Sequence, residues 1–158
     1  PRKIDVEIEL RDLENVIINL FNTLLAFGKV FIITNGDTGW VELSARLFLP
    51  AICPHLQRCS IISARGLYSL SFPHDALAWK REAFRAHSNA KQIISIGDSF
   101  TEREALFSLT EPKIKGNIKM HEYPTIQNLT NQLNLIRNCF DSLVRYKESF
   151  DLQLTIIS

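Results

Sequence analysis

Two short apolar runs without alternation constrain this chain most. Val30-Phe31-Ile32-Ile33 ends at Thr34-Asn35-Gly36, and Ile93-Ile94-Ser95-Ile96 ends at Gly97-Asp98. A strand with one wet face alternates polar and apolar residues. A run that is apolar throughout is covered on both faces, the condition of a strand inside a parallel sheet. Ser60-Ile61-Ile62-Ser63 repeats the pattern.

Helical periods separate these runs. Leu10, Leu13, Ile17, Leu20, Leu24 and Phe27 recur at three- and four-residue steps, and Gly28 follows as a stop. A second helix is expected from Thr38 to Phe48, stopped by Pro50, with a short one from Ala51 to Leu56. Ala64 to Asp75, with Gly66 and Pro73, reads as a loop, and Ala76 to His87 as a helix. Glu111 to Glu122 is polar and broken by Pro112 and Gly116, so it reads as an irregular hairpin or edge strand. Thr125 to Tyr146 forms a long helix with Ile126, Leu129, Leu133, Ile136, Phe140, Leu143 and Val144 on one side. Leu152 to Ile157 is a final strand or packed tail. Such alternation predicts an α/β fold: a three-layer, Rossmann-like arrangement, mostly parallel, with right-handed crossovers and helices on both faces.

The 158 residues suit one domain spanning 1–158. A net charge of +1 gives no electrostatic reason to expect nucleic acid or an anionic membrane as partner. No apolar run is long enough to cross a bilayer. Lys113, Lys115 and Lys119 are broken by Gly116 and read as a solvated hairpin. Cys53, Cys59 and Cys139 are odd in number and lack zinc-site spacing, so free thiols in a reducing, intracellular and cytoplasmic setting are expected. The triplet Asn128-Leu129-Thr130 fits a glycosylation acceptor but sits in a helical period.

Gly97-Asp98-Ser99-Phe100-Thr101-Glu102 carries the chemistry. It follows a buried strand and opens a helix, so it lies at the carboxyl edge of the sheet, where ligands bind in open parallel folds. Asp98 and Glu102 are spaced to share a hard cation such as magnesium. Asp98 and Ser99 are also good helix caps, and both readings stand at this stage. Thr34 ends the earlier strand on the same edge, and Lys80 follows Trp79 in a helical stretch between the two.

The order of Thr34 after a strand, then Lys80, then Gly97-Asp98 with Glu102 resembles the haloacid dehalogenase-like (HAD) phosphohydrolase superfamily. Ile33-Thr34-Asn35-Gly36-Asp37-Thr38-Gly39-Trp40-Val41-Glu42-Leu43-Ser44 and Ile62-Ser63-Ala64-Arg65 resemble a protist and plant branch of it, and the resemblance runs from about Ile4 to the chain's end. It implies magnesium-dependent hydrolysis of a phosphate ester through an aspartyl-phosphate. Thr34 would bind a phosphoryl oxygen, with the backbone N–H groups of Asn35 and Gly36 as further donors. Lys80 would offset developing charge, and Asp98 with Glu102 would hold magnesium. The stretch from Ala64 to Trp79 is too short for a large cap, so a bulky phosphorylated substrate, such as a phosphoprotein, is expected.

One departure is decisive. The family's first motif, Asp-x-Asp after an apolar strand, is absent: no two of Asp5, Asp12, Asp37, Asp75, Asp98, Asp141 and Asp151 stand two apart. The resemblance places the missing strand between Lys29–Thr34 and Gln92–Ile96. The expectation is that upstream residues supply it; a strand donated by a partner chain, or direct pairing of the two runs, are the alternatives. As given, the chain is expected not to hydrolyse phosphate esters. The alternative function is a non-catalytic HAD-like binding module or structural subunit of a larger assembly.

Overall fold

A computed structural model describes residues 2–156. The chain is α/β and Rossmann-like, with two parallel sheets and helices around them. In order, the elements are α1 (Lys3–Phe27), β1 (Phe31–Thr34), α2 (Trp40–Phe48), a 3-10 turn (Pro50–Ile52), α3 (Cys53–Leu56), β2 (Ser60–Ser63), α4 (Ala64–Tyr68), α5 (Ala76–Ala86), β3 (Gln92–Gly97), α6 (Phe100–Phe107), β4 (Ile114–Lys119), α7 (Ile126–Arg145) and β5 (Phe150–Gln153). The sheets have the orders β1-β2 and β3-β4-β5. The expected single sheet is therefore two ladders, and among the described residues none joins β1 to β3.

The chain divides into two compact units. The first comprises Pro1–Ile32, Gly39–Ile61 and Tyr123–Tyr146. Its frame is α1 packed on α7. Leu13 and Leu20 of α1 and Leu133, Ile136 and Phe140 of α7 are buried, as their spacing implies. Phe27 meets Phe140 edge-on at 5.6 Å, although Phe27 remains partly exposed. Ala45, Ile52 and Leu56 form a second apolar cluster, against which Ile17, Phe21, Ile32 and Ile61 pack.

The second unit comprises Ile33–Thr38, Ile62–Glu122 and Lys147–Ser158. Its sheet is parallel throughout: Gln92 to Gly97 pair in register with Ile114 to Lys119, and Gly116 to Lys119 with Phe150 to Gln153. Ala105, Leu106 and Ile118 are among its most deeply buried apolar residues. Ile62, Ala64 and Ala83 form a further cluster lined by Ile33, Tyr68 and Trp79.

Several expectations change. Glu111 to Glu122 is no irregular hairpin or edge: it contains β4, the central strand of its sheet. Its polar residues are answered in place. Gly116 leaves room for the Phe150 ring, which a Cβ there would strike. Asn117, 1% exposed, donates from Nδ2 to Asp151 Oδ1 at 3.0 Å. Lys115 donates to the Leu109 carbonyl, and Lys119 is buried, so the lysine group is not a solvated hairpin. The loop expected from Ala64 to Asp75 begins as α4, because the Ser63 hydroxyl caps it by accepting from Gly66 N at 2.9 Å. The final strand starts two residues earlier than expected and ends at Gln153; Ile157 lies outside the described residues. β1 is less covered than its apolar run implies, with Phe31 exposed.

Among the described residues no helix is long and apolar enough to cross a membrane.

Candidate phosphate-binding cleft

A cleft of about 530 Å³ opens within the second unit at the carboxyl ends of β1 and β3. It is lined by Ile33, Thr34, Asn35, Gly36, Lys80, Ile96, Gly97, Asp98, Ser99, Thr101, Glu102 and Met120. All six residues singled out from the sequence, Thr34, Asn35, Gly36, Lys80, Asp98 and Glu102, thus share one wall-to-wall site.

Parallel strands deliver these residues to one edge, and the turns that follow shape it. Thr34 is the last residue of β1, and its Oγ1 accepts from Gly36 N at 2.9 Å. That bond tightens the turn and leaves the hydroxyl proton to be donated. Asn35 Nδ2 donates to the Ala76 carbonyl at 3.3 Å, while its Oδ1 is buried with no hydrogen-bond partner. From outside, Ser63 at the end of β2 donates to the Gly36 carbonyl at 2.7 Å.

Lys80 enters from α5. Asp75 caps that helix, its Oδ1 accepting from Ala78 N at 3.0 Å, and Lys80 and Ala83 lie on its buried side. Lys80 is 5% exposed. Its Nζ donates to the Ile33 carbonyl at 3.0 Å and to Glu102 Oε1 at 2.9 Å. An ammonium has three N–H groups, so one remains.

Glu102, expected to share a metal with Asp98, has protein donors on both carboxylate oxygens. Ser99-x-x-Glu102 is a capping box at the start of α6: Ser99 N donates to Glu102 Oε2 at 3.1 Å, and the Ser99 hydroxyl accepts from Thr101 N at 3.2 Å while donating to the same Oε2 at 2.7 Å. Oε1 belongs to Lys80. Burial pushes the Glu102 carboxyl upward, but the Lys80 charge, its hydrogen bond and that from Ser99 outweigh it and hold the group below its ordinary value. Gly97 makes this possible, since a Cβ there would sit 2.6 Å from Glu102 Oε2. Ser99 was legible only as a cap; the Ser-x-x-Glu spacing carried the further signal.

Asp98 is exposed in the cleft. Among the described residues no group of three or more His, Cys, Asp and Glu is gathered as a metal cage. Magnesium needs no such cage when substrate phosphate and water supply ligands. The donor set fits it in part: Asp98 offers a carboxylate, and Glu102 is already engaged. Lys119, at the end of β4, was missed as a contributor. Its Nζ donates to the Asp98 carbonyl at 3.0 Å and to the Met120 carbonyl at 3.2 Å, and lies 4.9 Å from the Phe100 ring centroid.

The fold and site together define an α/β protein with a polar cleft at the carboxyl edge of parallel strands. No protein-family model, curated protein or solved structure matches the chain.

Proposed function

We propose that the cleft binds a phosphoryl group and that the chain is the core of a HAD-like phosphohydrolase domain. The observation that carries this is the convergence of Thr34, Lys80 and Asp98, 46 residues and then 18 apart in sequence (80 − 34 and 98 − 80), on one cleft. Thr34 donates its hydroxyl proton to a phosphoryl oxygen, beside the Asn35 amide, while the Gly36 amide stays on Thr34 Oγ1 and holds the turn. The remaining Lys80 N–H meets a second oxygen and offsets its charge. Asp98 would hold magnesium, which would supply charge neutralisation at the phosphoryl oxygens. The Asp-x-Asp motif that supplies the nucleophile in the HAD-like family is absent from this sequence, so this chain binds phosphate without turning it over. A strand bearing that aspartate, entering beside β3, would complete the catalytic domain. The substrate is a bulky phosphorylated one, such as a phosphoprotein, and the three free cysteines suit a reducing intracellular compartment.

Calorimetric titration with inorganic phosphate, with and without magnesium, tests this. Expected are binding that magnesium tightens, at least a tenfold loss in Lys80→Met, and no hydrolysis of p-nitrophenyl phosphate. Absence of binding at millimolar phosphate overturns the site. Turnover that disappears in Asp98→Asn overturns the claim of an incomplete centre.

The closed Lys80–Glu102 pair and the missing acid pair favour a second reading, a non-catalytic HAD-like binding module or assembly subunit. It shares the phosphate site, but magnesium would then leave the affinity unchanged.

A further inference from the structure

Lys119 is a nearly buried cation that the phosphate site does not use directly. It is 6% exposed, at the end of the strand neighbouring β3. A buried ammonium is costly unless its donors are taken. Here they go to the carbonyls of Asp98 and Met120, with the Phe100 ring beside the charge and Glu122 Oε1 more loosely placed at 3.8 Å.

The geometry of one peptide gives this meaning. The Asp98 carbonyl and the Ser99 N–H belong to the same planar unit, so fixing both ends fixes its plane. Lys119 holds the carbonyl, and Glu102 Oε2 holds the N–H at 3.1 Å. Glu102 is held in turn by Lys80, which bonds the Ile33 carbonyl. A continuous chain of contacts thus runs from Lys119 through the 98–99 peptide, Glu102 and Lys80 to Ile33.

We propose that Lys119 is a positioning residue for Asp98, clamping the 98–99 peptide so that the Asp98 carboxylate is presented to the cleft. What Asp98 then does rests on the phosphoryl-binding reading above; the clamp itself does not. The role proposed for Lys119 is exerted through the 98–99 peptide. The clamp makes the loop rigid before any ligand arrives, which lowers the cost of binding.

The test compares wild type, Lys119→Met and Lys119→Arg. Amide hydrogen exchange at Ser99, measured without ligand, reads the clamp. Exchange should rise at least tenfold in Lys119→Met, with the amides of α7 unchanged, and Lys119→Arg should restore most of the protection. Titration with manganese(II) plus inorganic phosphate reads the consequence: affinity should fall at least fivefold in Lys119→Met and recover in Lys119→Arg. If Lys119→Met does not fold, Lys119→Gln takes its place in both measurements. Unchanged Ser99 exchange in the folded variant overturns the clamp. Faster exchange with unchanged manganese and phosphate affinity overturns the positioning role. If wild type binds neither ligand while Ser99 exchange responds, the clamp stands, and the phosphoryl-binding reading falls along with the role given to Asp98.

Discussion

The two units handle buried charge differently. In the first, Glu14 of α1 is 4% exposed. Its Oε1 takes a bond from Arg11 at 2.6 Å, and its Oε2 accepts from Ala51 N at 2.7 Å, an amide at the start of the 3-10 turn that would otherwise be unbonded. Arg11 then donates to the Phe48 carbonyl at 3.0 Å. This carboxylate is spent on a guanidinium and a backbone amide and leaves nothing for a ligand. In the second unit Lys80 is as deeply buried, yet it faces a cleft with one N–H to spare. A buried charge answered on all sides reads as structure; one answered on two sides beside an opening reads as a site. Burial alone separates neither case.

Core deletions set the scale for that comparison. Ile136→Ala in α7 and Ile118→Ala in β4, each 1% exposed, should each cost about 2–5 kcal/mol in chemical denaturation. Similar losses from both would show that the units are equally packed. A loss under about 1 kcal/mol in one would mark that unit as loosely packed and weaken any reading of its buried charges.

Glu14→Ala should cost about 0.5–1.5 kcal/mol per hydrogen bond lost, because it removes the acceptor of the Ala51 amide and one of the two partners of Arg11. Phosphate affinity should not change. A changed affinity measured by calorimetry would break the contrast between the units.

Gly97→Ala should cost a comparable 1–3 kcal/mol, about the usual range for overpacking, since the new Cβ drives into the Glu102 carboxylate. Here phosphate affinity should fall too, as Lys80 loses its fixed partner. Stability lost with affinity intact would show that the Glu102 position does not matter to the cleft.

Glu102 also gives a pH signature. Its folded-state carboxyl sits below its ordinary value, despite the opposing effect of burial. The charged form is favoured by folding, so its stabilisation is present above the ordinary glutamate range and lost as pH falls through the lowered folded value. The acid limb of wild-type stability against pH should be shallower in Glu102→Gln. Coincident slopes in urea titrations would remove the Lys80–Glu102 pair as a stabilising contact.

The smallest effect is expected on the surface of α7. Asp141 and Arg145 bond at 2.9 Å, but their side chains are 55% and 73% exposed. Asp141→Asn should change stability by under about 0.5 kcal/mol. A larger loss would raise the weight of exposed pairs throughout the first unit.

Much of this was legible residue by residue. The runs at Phe31–Thr34 and Gln92–Gly97 are strands, and the stripes of Leu13, Leu20, Leu133 and Ile136 are buried helix faces, because a period of 3.6 or a continuous apolar run is written locally. Thr34, Lys80 and Asp98 were legible for the same reason, being tied to strand ends and a helix start. β4 was not. Ile-Lys-Gly-Asn-Ile-Lys lacks an apolar run, and nothing nearby in sequence says that Phe150 fills the space over Gly116 or that Asp151 satisfies Asn117.

The sequence by itself determined the parallel α/β class and which edge of each strand carries polar turns, since strand, turn and helix preferences act over a few residues. Tertiary structure alone decided which charges are buried and what answers them. Lys80 meets Ile33 across 47 residues and Glu102 across 22, Lys119 meets Asp98 across 21, and Asn117 meets Asp151 across 34. A lysine reads the same in sequence whether water or a carboxylate surrounds it. Only the chain's return past it sets the local dielectric and supplies the partner that makes its burial stable.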